Sequence, residues 1–155
     1  MTEIERKFLV KSDAFKSEAY KKIRIVQGFL NTHPERTVRI RIMEPKACIT
    51  VKGKSSQNGL SRFEWEKEIE VEDAEELLKL CEPGVIEKER YLVENEHHIF
   101  EVDEFHGQNQ GLIIAEIELK SEEDTFLKPL WIGEEVTGDI RYYNSQLTKN
   151  PYLNW

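Results

Sequence analysis

Two short stretches near opposite ends of the chain repeat one arrangement of charge: Glu3-Ile4-Glu5-Arg6-Lys7 at the start, and Glu116-Ile117-Glu118-Leu119-Lys120 much later. In an extended strand, residues two apart share a face. Each stretch therefore sets two carboxylates beside a base. Clustered carboxylates are all-oxygen ligands, which suit Mg2+ or Mn2+ better than zinc. The opposite charge lies between them. Arg39 and Arg41 share one face, Lys88 and Arg90 another, Lys52 follows Thr50, and Arg62 leads into Glu64, Glu66, Glu68 and Glu70. Guanidinium forks match phosphate oxygens and stay charged at any working pH. Acids and bases laid out this way would serve a polyanion held together with a divalent cation.

These side chains need strands to position them, and period-two alternation dominates the chain. It predicts eight strands, at 3–10, 22–31, 36–43, 46–53, 61–71, 85–95, 97–105 and 111–120. Turn-like stretches such as THPE, KSSQNG and HGQNQG join most of them, and short connections favour antiparallel neighbours. Helices are predicted from Ser12 through SDAFKSEAYKK and over EDAEELLKL at 72–80. Two more are predicted in EEDTFLKPLWIG and in GDIRYYNSQLTKNP, the last with Asp139 as its N-cap. Glu68 and Glu70 fall beyond the ionic faces. Phe63, Trp65 and Trp131 are expected in the core.

Length and composition set the limits. The chain has 155 residues, enough for one domain, 1–155, with a real core. A net charge of −8 weighs against nucleic acid as a partner. Cys48 and Cys81 offer neither metal spacing nor a disulfide framework, which points to a reducing cytoplasm. No signal-peptide pattern opens the chain, and no apolar run is long enough for a membrane span. His97 and His98 are adjacent, so in a strand they cannot chelate together. Apolar faces left uncovered by helices would allow a homodimer.

Two architectures satisfy the alternation. In one, every charged face meets water around a sandwich core. In the other, the sheet closes with its charged face inward. The faces are almost wholly ionic, with acid and base segregated by strand, which surface strands do not need. Inside a barrel such charges require partners.

The EIERK stretch resembles the ExExK signature of the CYTH superfamily, the triphosphate tunnel metalloenzymes. TVRIRI, ITVKG, LSRFEWE, IEKERYLV, FEVDEFHG, AEIEL and WIGEEVTGDIRYYNSQL follow in the family's order along nearly the whole chain. The resemblance implies an α+β fold: a closed eight-stranded antiparallel β-barrel with a charged interior, covered by peripheral helices. It implies Glu3, Glu5, Glu116 and Glu118 as metal ligands. Asp103, preferred to Glu101, is a further acid for the metal. Lys7, Arg39, Arg41, Lys52, Arg62, Lys88 and Arg90 form the expected phosphate cradle. Lys7 or Glu64 would orient the attacking water. Arg141, Tyr142 and Asn144 of the resembling terminal segment are expected to pack the last helix on the barrel, with substrate binding at the bore mouth as the alternative. The activity implied is metal-dependent hydrolysis of a triphosphate compound, inorganic triphosphate first, with Mg2+ or Mn2+. The alternatives are an adenylyl cyclase of the same superfamily, a thiamine triphosphatase and a polyphosphate- or nucleotide-binding module without turnover. Acids at both ends of the chain disfavour the last. The scarcity of aromatic groups on the ionic faces, with only Phe105 near a strand end, disfavours the cyclase.

Overall fold

The alternating segments do form strands, and they close on themselves. The structure is a computed structural model that describes residues 2–155. Its strands are β1 (Thr2–Val10), β2 (Lys21–Asn31), β3 (Arg36–Met43), β4 (Lys46–Ser55), β5 (Ser61–Ile69), β6 (Ile86–Asn95), β7 (His98–Phe105), β8 (Ile113–Glu118) and β9 (Ile132–Glu135). The helices are α1 (Phe15–Glu18), α2 (Val71–Leu78) and α3 (Asn144–Leu147). The strands run in the order β5-β4-β3-β2-β6-β7-β8-β1, and β1 pairs back to β5 through Thr2↔Phe63, Glu3↔Arg62 and Ile4↔Ser61. Eight antiparallel strands thus make a closed barrel. The ninth, β9, continues along β1 where β5 leaves off, with Phe8 opposite Glu135 and Val10 opposite Ile132.

The pleat then sorts the residues. On β1, Glu3, Glu5 and Lys7 face inward, while Ile4 and Phe8 face outward into the hydrophobic shell. The outer face of β6, β7, β8 and β1 is covered by Phe15 of α1 together with Phe126 and Trp131. The outer face of β3 and β4 is covered by Ala74, Leu77 and Leu78 of α2. At one end of the bore the inward series turn apolar. Leu9, Phe29, Ile86, Phe105 and Ile114 pack there with Val136, Tyr142 and Leu147 of the C-terminal segment. This plug closes the barrel two residues beyond Lys7, Lys88, Asp103 and Glu116. Strand β6 carries charge on both faces for a simple reason. Its outward Glu87 and Glu89 pair with Arg24 and Lys22 of β2 at 2.9 and 3.2 Å.

Several sequence expectations need correction. The helix predicted over EEDTFLKPLWIG is an irregular strap that ends in β9. Pro129 removes a backbone donor there, and the apolar residues Phe126 and Trp131 dock singly on the barrel instead of forming a helical face. The helix predicted over GDIRYYNSQLTKNP is broken. A 3₁₀ turn at Ile140–Tyr142, capped by the Asp139 carboxylate accepting from the Arg141 amide, is followed by extended Tyr143 (φ −69°, ψ 134°) and then α3. That extended residue sends Tyr142 into the plug and Tyr143 into the bore. The first helix shrinks to one turn around its buried anchor, Phe15. Phe63 and Trp65 are not core: at 49% and 38% exposure they lie on the stretch of β5 that no helix covers.

Candidate active site

Closure brings the acids of both chain ends onto one wall. In register, Glu5 lies opposite Glu118, Lys7 opposite Glu116, and Glu101 opposite Glu116. Strands β5, β1, β8 and β7 thus supply adjoining carboxylates, while β3, β4 and β6 supply most of the cations. Between the walls is a cavity of about 240 Å³. Every residue singled out from the sequence for metal, phosphate or catalysis lines it, except Asp103.

The cations differ in how they are answered. Across β6 and β7, Arg90 makes a bidentate pair with Asp103 (Nε–Oδ1 2.8 Å, Nη2–Oδ2 2.9 Å) and donates to Glu101 at 3.0 Å. Lys88 reaches the same Asp103 at 2.8 Å. Burial would push the Asp103 carboxyl up, but Arg90 and Lys88 hold it well below the usual carboxylate range. Asp103 was expected to bind metal. Both its oxygens are instead engaged by protein cations, and Glu101 is the β7 acid at the cavity surface.

Across β3, β4 and β5 the balance is looser. Arg39 and Arg41 share one acid, Glu66, at 3.4 and 3.7 Å, and the Nε of each is buried without a partner. Burial, then the neighbouring Arg41, lower the Arg39 guanidinium to about 10. Arg62 has only neutral partners among its hydrogen bonds, the Gly53 carbonyl at 3.0 Å and the Thr37 hydroxyl at 3.3 Å. Lys52 bridges the seam between the walls, touching Glu3 at 2.9 Å and Glu64 at 3.4 Å.

On the acidic wall, burial, Glu116 and Glu3 together raise the Glu5 carboxyl well above its ordinary value. Glu118 is raised as well, by burial and then by Glu3. Lys7 lies over the Tyr143 ring at 4.9 Å. Burial opposes its charge, but Glu116 and Glu5 outweigh it and raise the ammonium pKa.

A divalent cation suits this wall chemically. The donors are hard carboxylate oxygens, and a cation among them would relieve the repulsion that Glu116 and Glu3 add to burial at Glu5. Among the described residues, no three acidic, histidine or cysteine side chains are already drawn together as a metal shell. Glu3 is tied to Lys52 instead.

The C-terminal segment contributes more than packing. Tyr143, Asn144 and Thr137 line the cavity, whereas Arg141 is exposed and paired with Asp139 at 2.8 Å. Two turns hold this segment to the β4–β5 loop. Gly59 (φ +76°) and Gly138 (φ +80°) approach so closely that a Cβ on Gly59 would lie 2.4 Å from the Gly138 Cα. Thr37, two residues before Arg39, was detectable from its parity. Tyr143 and Asn144 follow no strand periodicity and left no such signal. The expected aromatic on the ionic face, Phe105, is in the plug. No helix of the described residues is long and apolar enough to cross a membrane.

The profile of the CYTH domain matches residues 1–149. An inorganic triphosphatase of Acetivibrio thermocellus is 53% identical over 154 residues, spanning 99% of this chain and 97% of that protein. One of Nitrosomonas europaea is 38% identical over 152 residues, spanning 95% and 97%. The crystal structure of an inorganic triphosphatase, 34% identical, superposes with a TM-score of 0.67 over 96% of this chain and 95% of the other.

Proposed function

The chain belongs to the CYTH-domain family, and on that premise we propose that it hydrolyses triphosphate compounds, taking inorganic triphosphate in preference to ATP and using Mg2+ or Mn2+. One observation carries this reading. Arg39 and Arg41 face the cavity opposite a wall of acids, Arg62 lies at the edge of that wall beside Glu3, and among the described residues none of the three has a carboxylate nearer than 3.4 Å. Cations left open in this way suit a multiply charged anion.

In this reading Arg39, Arg41, Arg62 and Lys52 grip the phosphoryl oxygens and fix the chain of phosphates along the bore. Glu3, Glu5, Glu116 and Glu118 would hold the divalent cation, which supplies neutralisation of charge on the phosphoryl group being transferred. Phosphoryl transfer asks mainly for positioning and charge compensation. Glu64, part-exposed and ion-paired with Lys52, would orient an attacking water and take its proton. Lys7, buried beside Glu116, stabilises the negative charge that develops. Asp103 holds Lys88 and Arg90 in place and takes no part in ligation. Water adds to the terminal phosphorus, the bridging P–O bond breaks, and phosphate and pyrophosphate leave.

The test is incubation with inorganic triphosphate, ATP and thiamine triphosphate, with either cation, and chromatography of the products. Pyrophosphate and phosphate should form from inorganic triphosphate with the highest kcat/KM. EDTA should stop the reaction, and Glu116→Gln should abolish it with the circular dichroism spectrum unchanged. Cyclic AMP from ATP with inorganic triphosphate left intact would overturn the proposal, as would tight binding of polyphosphate without turnover.

A further inference from the structure

Asn144 opens α3 and extends its side chain to the inner face of the barrel. Its Oδ1 accepts from Lys88 Nζ at 2.9 Å and from Gln27 Nε2 at 2.8 Å. These contacts fix which way round each amide stands. A lysine ammonium is a donor only, so the Asn144 atom facing it must be the oxygen. Gln27 meets that same oxygen and must present its nitrogen, which leaves its own Oε1 buried without a partner. Gln27 is fully buried between Arg41 on β3 and Ile86 on β6, and the next inward residue of β2 is Phe29. The only hydrogen bond of its amide among the described residues is the one to Asn144.

What the arrangement produces is a fixed donor. With Oδ1 held from two sides, the Asn144 NH2 is directed away from both holders, on a residue that lines the cavity. Lys88 and Arg90 are committed to Asp103 at this end of the bore. A neutral donor adds a contact to an anion there without repelling them.

We propose that Asn144 is a substrate-binding residue whose amide NH2 donates to a phosphoryl oxygen at the plugged end of the bore, and that Gln27 is the positioning residue that holds this amide. The proposal rests on the triphosphate reading above.

Three variants test it, with kcat and KM measured on inorganic triphosphate and Mg2+. Asn144→Asp is the decisive one, because it keeps the acceptor for Lys88 and Gln27 while replacing the donor with an anionic oxygen. Asn144→Ala should lower kcat/KM by about 10-fold, and Asn144→Asp by about 100-fold. Gln27→Met should lose about 3–10-fold, carried by KM and not kcat. If Asn144 served only to hold Lys88, aspartate would do so at least as well as asparagine. Activity of Asn144→Asp equal to or above that of Asn144→Ala would therefore overturn the proposal. So would an unchanged KM in folded Gln27→Met, which decides the matter should Asn144→Asp fail to fold. If the wild type bound inorganic triphosphate without cleaving it, the hydrolase reading would fall by itself, and the same order would be read in calorimetric Kd. A wild type that neither binds nor cleaves it overturns both.

Discussion

Two ionic groups face each other across the bore and are balanced differently. On β6 and β7, Lys88, Arg90, Asp103 and Glu101 answer one another at 2.8–3.0 Å. On β3, β4 and β5, Arg39 and Arg41 share Glu66 at 3.4 and 3.7 Å, and two guanidinium nitrogens are left over. The cations of both groups are buried or nearly so, and both groups would look alike as inward-facing charges on alternating strands. The difference teaches how to divide them. A buried charge that is fully paired is committed to the fold, and removing its partner is costly. Buried cations left short of anions are held there by the barrel against their own repulsion, and a polyanionic ligand relieves it. The first group frames the site, and the second awaits the substrate.

The sharpest way to break this comparison is Asp103→Ala. It strands two buried cations, and the expected loss of stability is about 3–5 kcal/mol, read from urea unfolding. Arg90→Met combined with Asp103→Leu should recover only part of that loss, since it removes one stranded cation and leaves Lys88 without its carboxylate. The pH dependence follows with a definite sign. The folded Asp103 is depressed, so its contribution is full above the ordinary aspartate range near ~3.9 and is lost as pH falls through the lower folded value. Unfolding curves from pH 7 downward should show that decline in the wild type and lack it in Asp103→Asn. Unchanged stability in Asp103→Ala would mean that the paired group does not hold the barrel.

The counterpart on the other wall is Arg41→Ala. Here the loss should fall on catalysis: about 10–100-fold in kcat/KM, with the urea midpoint unchanged or raised. The reason is that Arg41 lowers its neighbour Arg39, and deleting it relieves like-charge repulsion. A variant with normal kinetics and reduced stability would reverse the roles assigned to the two groups.

Much of this was legible in the sequence, and the limits have physical causes. Side-chain parity along β1, β3, β5 and β8 is a property of the strand itself, so the sharing of one ionic face by Glu3 and Glu5, by Arg39 and Arg41, and by Glu116 and Glu118 could be read directly. That these faces close into a barrel was not in the alternation, which a sandwich satisfies equally. It came from the ordered resemblance. Parity also could not separate Glu101 from Asp103. They share a face, and only the register Arg90↔Asp103 decides which one is consumed. Phe63 and Trp65 were correctly placed on the outer face, but burial there depends on whether α2 reaches them, and it covers Ile40, Ala47 and Ile49 instead. Tyr143 and Asn144 enter the bore because one extended residue interrupts an expected helix, an event set by packing against the plug.

Thr50→Val sharpens the comparison at its finest grain. Thr50 is fully buried, and its hydroxyl donates to Glu66 at 2.7 Å while accepting from Arg39 Nη2 at 3.0 Å. The hydroxyl thus takes up part of the charge on Glu66, leaving the acid a longer 3.7 Å from Arg41. The paired group on β6 and β7 has no such intermediary, since its carboxylates meet the cations directly. If Thr50 keeps the open group open, valine, which matches its shape and lacks the hydroxyl, should let Glu66 close on both arginines. The cradle would then be partly neutralised before substrate arrives. The expected result is a KM about 5-fold higher with kcat nearly unchanged, equivalent to one lost hydrogen bond of about 1 kcal/mol. Serine at the same position should restore the wild-type KM, because it returns the hydroxyl without the methyl group. Equal KM values for the valine, serine and wild-type proteins would show that Glu66 is kept off Arg41 by the backbone alone.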